Sequence, residues 1–79
     1  MQEDPFAGRL RELRERQRKS RFLVSQLCGL HPDAVRRYEK GEARPGLDAL
    51  LAMADYFDVT LDELVGRTAL GASRAGQMR

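Results

Sequence analysis

The sequence predicts an all-α fold on three observations. Apolar residues recur at helical spacing in five separate segments, those segments carry their own start and stop signals, and no stretch alternates with the period of two that a strand requires. Every connection is only a few residues long and no internal repeat is evident. A chain of 79 residues buries a modest core, so association with a second copy would help it.

The first helix is expected over residues 5 to 18. Phe6, Leu10, Leu13 and Gln17 share one face, Asp4 can cap the start, and Pro5 takes the first helical position, where its missing N–H costs nothing. Arg9, Arg11, Arg14, Arg16 and Arg18 stand among Glu12 and Glu15 at spacings that form local pairs, so this charge run reads mainly as a solvated, salt-bridged face. Ser20 can cap a second helix with Leu23, Val24, Leu27 and Cys28 turned inward, which Gly29 ends by entering the left-handed region cheaply. A third helix follows from Pro32 through Val35 and Tyr38 to Gly41, with Asp33, Arg36, Arg37 and Lys40 on its outer face.

Pro45 and Gly46 then break the chain. Leu47, Leu50, Leu51, Ala54 and Phe57 form the most apolar stripe, expected to be the centre of the core. Thr60 and Glu63 make a T-x-x-E capping box, with Val59 placed to staple against Leu64, and the fifth helix stops near Gly66. Residues 1–66 thus read as one folded domain and residues 67–79, small, polar and basic, as a flexible tail.

The charge is uneven. Residues 1–46 hold 11 basic and 7 acidic side chains, residues 47–66 hold 5 acidic and no basic, and residues 67–79 hold 3 basic, so a polyanion would meet the first half. No uncharged run approaches the roughly 20 apolar residues that cross a bilayer, and Met1–Pro5 is acidic rather than signal-like, which reads as a cytoplasmic protein without membrane contact. One cysteine and one histidine support neither an internal disulfide nor a four-ligand zinc site, and no metal or cofactor is expected. Cys28 sits at a core position, and His31 stands where a capping residue or a phosphate neighbour would. With no nucleophile, acid–base partner or pocket in the pattern, an enzyme is not expected.

Two short helices joined through a single glycine, the second exposing a basic face, are what a helix-turn-helix needs to place one helix in the major groove. Val24, Cys28, Leu30, Val35 and Tyr38 would point to the core, with Ser25 small where the two helices cross. At this point residues 8 to 66 resemble the lambda-repressor/Cro-like (XRE-type) helix-turn-helix family. The resemblance is carried by LRELRE at 10 to 15, Ser20, LCGL at 27 to 30, VRRYEKGEARP at 35 to 45, LLAMA at 50 to 54 and VTLDEL at 59 to 64, in that order and spacing.

That resemblance implies a compact five-helix DNA-binding domain, most simply a dimeric transcriptional repressor on a near-palindromic operator. It places Ser20 and Arg21 against the phosphate backbone, Pro32, Asp33, Arg36 and Arg37 toward the groove, and Lys40 and Arg44 at further backbone contacts. It also pairs Glu39 with Arg14 of the first helix as part of the scaffold. Arg37 is the best base reader, since a guanidinium fork matches guanine O6 and N7, while Arg36 could do the same or hold phosphate. Asp33 could accept from cytosine N4, cap its own helix, or orient a neighbouring arginine. The family often has Gln at the position of Arg21 and a polar side chain at that of Pro32, which leaves the operator sequence open.

Leu61, Leu64 and Val65 on a terminal amphipathic helix are the expected homodimer surface. Control would come from concentration, from proteolysis, or from a separate protein, an anti-repressor, that disrupts the dimer or masks the basic face, and the sequence does not choose among these. The alternative keeps the fold but makes a protein the main partner, as for an antitoxin or adaptor whose docking charges are Asp48, Asp55, Asp58, Asp62 and Glu63.

Overall fold

Leu10, Val24, Val35, Met53 and Leu64 are apolar side chains with no exposed surface, and each comes from a different helix. The computed structural model describes residues 5–66. Its order is α1 (Pro5–Arg16), α2 (Arg21–Leu27), α3 (Ala34–Glu39), α4 (Leu47–Phe57) and α5 (Leu61–Val65), with no strand among the described residues. Phe6, Leu13, Ala54 and Phe57 complete the core, and Cys28, Leu30, Tyr38, Leu50 and Val59 pack around it. The cap expected at Asp4 and the tail expected over residues 67–79 lie outside the described residues. No described helix is long and apolar enough to cross a membrane.

The helix boundaries follow local chemistry. α1 stops two residues short of the expected end, because Gln17 N–H and Arg18 N–H close the last turn on the carbonyls of Arg14 and Glu15 and Arg18 takes the left-handed region at φ 58°. Gln17 consequently leaves the core face, and its Oε1 accepts from the Tyr56 hydroxyl at 2.6 Å. Ser20 Oγ accepts from Leu23 N–H at 3.0 Å, and Gly29 at φ 73° ends α2 as expected. Both halves of the capping box of α5 form: Thr60 Oγ1 accepts from Glu63 N–H at 3.1 Å and Glu63 Oε1 accepts from Thr60 N–H at 2.9 Å.

Two apolar stripes are rotated from the expected positions. On α2 the buried pair is Val24 and Ser25, while Leu23 and Leu27 are exposed. The cause is the fully buried Ser25 hydroxyl, which donates to Arg21 O at 2.8 Å and accepts from Val35 N–H at 3.0 Å, so this face of α2 is the one turned to α3. On α4 the buried set is Met53, Ala54 and Phe57, and Leu47 and Leu51 are exposed. α3 begins at Ala34 rather than Pro32, since Ala34 N–H bonds to His31 O and leaves Pro32 in the turn.

The two ends of the described chain meet. Arg9 Nε donates to Glu63 O at 3.0 Å, and Gly66, at φ 85°, lies so close to Pro5 that an added Cβ would stand 2.9 Å from the proline Cβ. At the other end of α1, Arg14 grips Glu39 on two nitrogens, Nε to Oε2 at 2.6 Å and Nη2 to Oε1 at 3.0 Å, while its Nη1 donates to Lys19 O at 2.8 Å. The Glu39 side chain is only 5% exposed and that of Arg14 14%. This bidentate bond holds the Arg14 guanidinium above the ordinary arginine value, against the opposing effect of burial.

Removing one partner of such a pair strands a buried charge. Glu39→Ala is therefore expected to lower stability by about 3 kcal/mol, read as a fall in Tm of at least about 10 °C for a domain of this size. An unchanged Tm would show that the pair contributes nothing.

Candidate nucleic-acid interface

The face built by α2 and α3 is fixed from within. Ser25 joins the backbone of both helices, and Leu30 N–H returns to Ser25 O at 2.8 Å across the glycine turn. His31 closes the entry to α3: its ring Nδ1 accepts from Asp33 N–H at 3.0 Å, so the side chain serves as the cap of the turn. With Val35 buried inward and Glu39 tied to Arg14, the outer positions of α3 are Asp33, Arg36, Arg37 and Lys40, at the spacing of one helical face.

Two clefts open on this face. One, of about 410 Å³, is lined by Ser20, Arg21, Phe22, Pro32, Asp33 and Arg36. The other, of about 520 Å³, is lined by Arg11, Arg14, Ser20, Arg21, Glu39 and Lys40. Arg21 and Ser20 belong to both, so the start of α2 is the wall between them. Of the residues expected to contact a ligand, the structure thus gathers Ser20, Arg21, Pro32, Asp33, Arg36 and Lys40 around two adjoining depressions. Arg37 lies on the same outer face of α3, Arg44 is exposed in the loop before α4, and His31 is spent on the turn. Phe22, 54% exposed, and Arg11 were not among the expected residues. An apolar side chain directly after a basic helix start was the available signal for the first of them.

The cations of this face differ in their commitments. Arg36 Nε and Nη2 donate to the two Asp33 oxygens at 2.6 and 2.7 Å, so of the roles open to Asp33 the structure selects the neighbouring arginine, and its carboxylate makes no cap bond to α3. This bidentate bond holds the Asp33 carboxyl below the ordinary carboxylate range. The lowered value means the pair is complete above that range and is lost only as the pH falls below it. Arg21, Arg37 and Lys40 make no side-chain hydrogen bond or salt bridge among the described residues. On α1, by contrast, Arg9, Arg11 and Arg16 are each paired with Glu12 or Glu15.

The expected dimer surface is divided by the fold. Leu64 is completely buried in the chain's own core, where it can offer no surface to a partner, and Val65 is half-buried against the same cluster. Leu61 is 37% exposed.

A helix-turn-helix domain family model matches residues 5–65. The HTH-type transcriptional regulator AnsR of Bacillus subtilis is 44% identical over 59 residues, which are 75% of this chain and 51% of that protein. The cryptic phage CTXphi transcriptional repressor RstR of Vibrio cholerae is 28% identical over 71 residues, 90% of this chain and 63% of that one. The chain therefore spans about half the length of AnsR and less than two thirds of RstR. Among solved structures, the restriction-modification controller protein C.AhdI of Aeromonas hydrophila superposes with a TM-score of 0.71 at 33% identity, over 77% of this chain and 92% of that one.

Cys28, half-buried at the end of α2, has its thiol pushed up by burial, which keeps the reactive thiolate scarce at neutral pH. Labelling with a disulfide reagent at neutral pH is expected to be several times slower in the folded protein than in denaturant. Equal rates would mark Cys28 as an accessible, reactive thiol instead of a packing residue.

Proposed function

The chain belongs to the lambda-repressor/Cro-like (XRE-type) helix-turn-helix family of transcriptional regulators, and from that premise we propose that it is a sequence-specific repressor binding double-stranded DNA as a homodimer, with α3 in the major groove. The observation that carries this reading is the set of cations that make no side-chain hydrogen bond or salt bridge among the described residues. Arg21, Arg37 and Lys40 carry no such bond, whereas Arg9, Arg11, Arg14 and Arg16 on α1 are occupied by Glu12, Glu15 and Glu39. Unpaired cations on a preformed surface gain most by displacing counterions from phosphates, and their binding falls steeply with salt.

Within this reading the roles divide by position. Ser20, Arg21, Lys40 and Arg44 face the phosphates and set register, which carries no sequence information by itself. Arg37, exposed and uncommitted, reads a base edge by its guanidinium fork. Pro32, which cannot donate from its backbone, offers only apolar surface at the groove. Leu61 supplies exposed apolar surface on α5 for the second subunit. Two copies would then set their α3 helices about 34 Å apart, on two half-sites of a near-palindrome.

Selection from random duplexes at several salt concentrations tests the proposal. A near-palindromic motif is expected, with affinity falling as salt rises. Arg37→Ala should lose roughly five- to one-hundredfold discrimination at one base pair of each half-site, while Lys40→Ala weakens all sequences alike and lowers the salt slope by about 1. Binding without any motif would overturn the regulator reading and turn attention to the acidic surface of residues 47–66. Sedimentation of the free protein checks the dimer: Leu61→Lys is expected to shift it toward monomer, and an unchanged association constant would remove α5 from the interface.

A further inference from the structure

An arginine has two edges on which it can offer a parallel pair of N–H donors, and Arg36 has already given one of them away. Its Nε and Nη2 lie side-on to the carboxylate of Asp33, at 2.6 and 2.7 Å. The end-on edge, made by Nη1 and the second hydrogen of Nη2, remains. Glu42 Oε1 forms an ion pair with Nη1 at 3.8 Å, beyond hydrogen-bond reach, so it flanks that edge without accepting a hydrogen bond from it. The pair is partly covered, with side-chain exposures of 37% and 40%, and it forms one wall of the cleft whose other walls are Arg21, Phe22 and Pro32.

We propose that Arg36, held side-on by Asp33, is a second base reader, selective for guanine, and that Asp33 is its positioning residue. The inference rests on the reading of α3 as the groove-facing helix and goes beyond it by assigning Arg36 to a base instead of a phosphate. Guanine presents two acceptors, O6 and N7, to the major groove, which suit two parallel donors; adenine presents a donor beside N7 and cannot take both. Fixing the guanidinium by its side removes the rotamer freedom that a base contact would otherwise have to freeze. The same carboxylate offsets the charge of Arg36, so this arginine adds selectivity with little of the counterion release that a phosphate contact brings. Asp33, though acidic on a basic face, thereby serves recognition without touching DNA.

The test uses the full chain and a duplex carrying its selected motif, with guanines replaced one at a time by 7-deazaguanine, which lacks the N7 acceptor. Wild type is expected to lose roughly five- to one-hundredfold affinity at the guanine read by Arg36, and Arg36→Ala should lose nothing further there. Asp33→Asn should keep or raise overall affinity and steepen the salt slope by about 1, as the released arginine finds a phosphate, while discrimination at that guanine falls. Two outcomes overturn the proposal: Arg36→Ala that stays sensitive to every 7-deazaguanine the wild type senses, or Asp33→Asn that weakens all sequences equally and leaves selectivity intact. A wild-type protein with no motif at all would fail the reading of α3 itself; a motif whose guanines ignore Arg36 fails this proposal alone.

Discussion

The rest of the molecule depends on how one carboxylate is kept out of water. Glu39 is nearly buried in a domain with little interior to spare, a position tolerable only when both of its oxygens are met by charge. Arg14 meets them, and its remaining nitrogen takes the carbonyl of Lys19, so one guanidinium ties α1, the α1–α2 turn and the last residue of α3 into a single joint. A helix of six residues has no independent stability in water. α3 holds its shape because Ser25 receives Val35 N–H near its beginning and Arg14 takes Glu39 at its end. Both fastenings lie on the inner side, which is why the outer side is left to function.

On that outer side, identity of residue type conceals difference of state. Arg36 and Arg37 are neighbours in sequence, equally charged and both turned outward, yet one is bound at two points to Asp33 and the other makes no side-chain hydrogen bond or salt bridge among the described residues. A net charge per helix would count them alike. The distinction between a cation that is available and one that is already oriented arises from geometry over a single helical turn.

Much of the fold was legible because its punctuation is local. Ser20, the Thr60–Glu63 box and the glycines at 29 and 66 act on backbone groups within a few residues, and each ends or begins a helix where expected. The phase of α2 and α4 was not legible, since both carry leucines on more than one side and a helix of seven residues completes barely two turns. What settled the phase of α2 was a serine hydroxyl serving two helices, a long-range effect that no periodicity expresses. The Arg14–Glu39 pair came through resemblance, not spacing, because its partners are 25 residues apart. Asp33 had three chemically sound roles, and its bidentate bond to Arg36, three residues on, is seen only in the structure.

The closure of α1 on α5 has a consequence in time. The contact of α2 with α3 spans 10 residues and can form as soon as that stretch leaves the ribosome, but Arg9 finds its carbonyl 54 residues later, at Glu63. Of the five described helices, α1 is thus the first made and the last to be completed. In the interval Phe6, Leu10 and Leu13 have no finished core to enter, and a nascent chain of this kind exposes a short apolar face beside a basic one, the sort of surface that chaperones hold. The order of synthesis and the order of packing run in opposite directions, and the helix that anchors α3 is secured only when the end of α5 arrives.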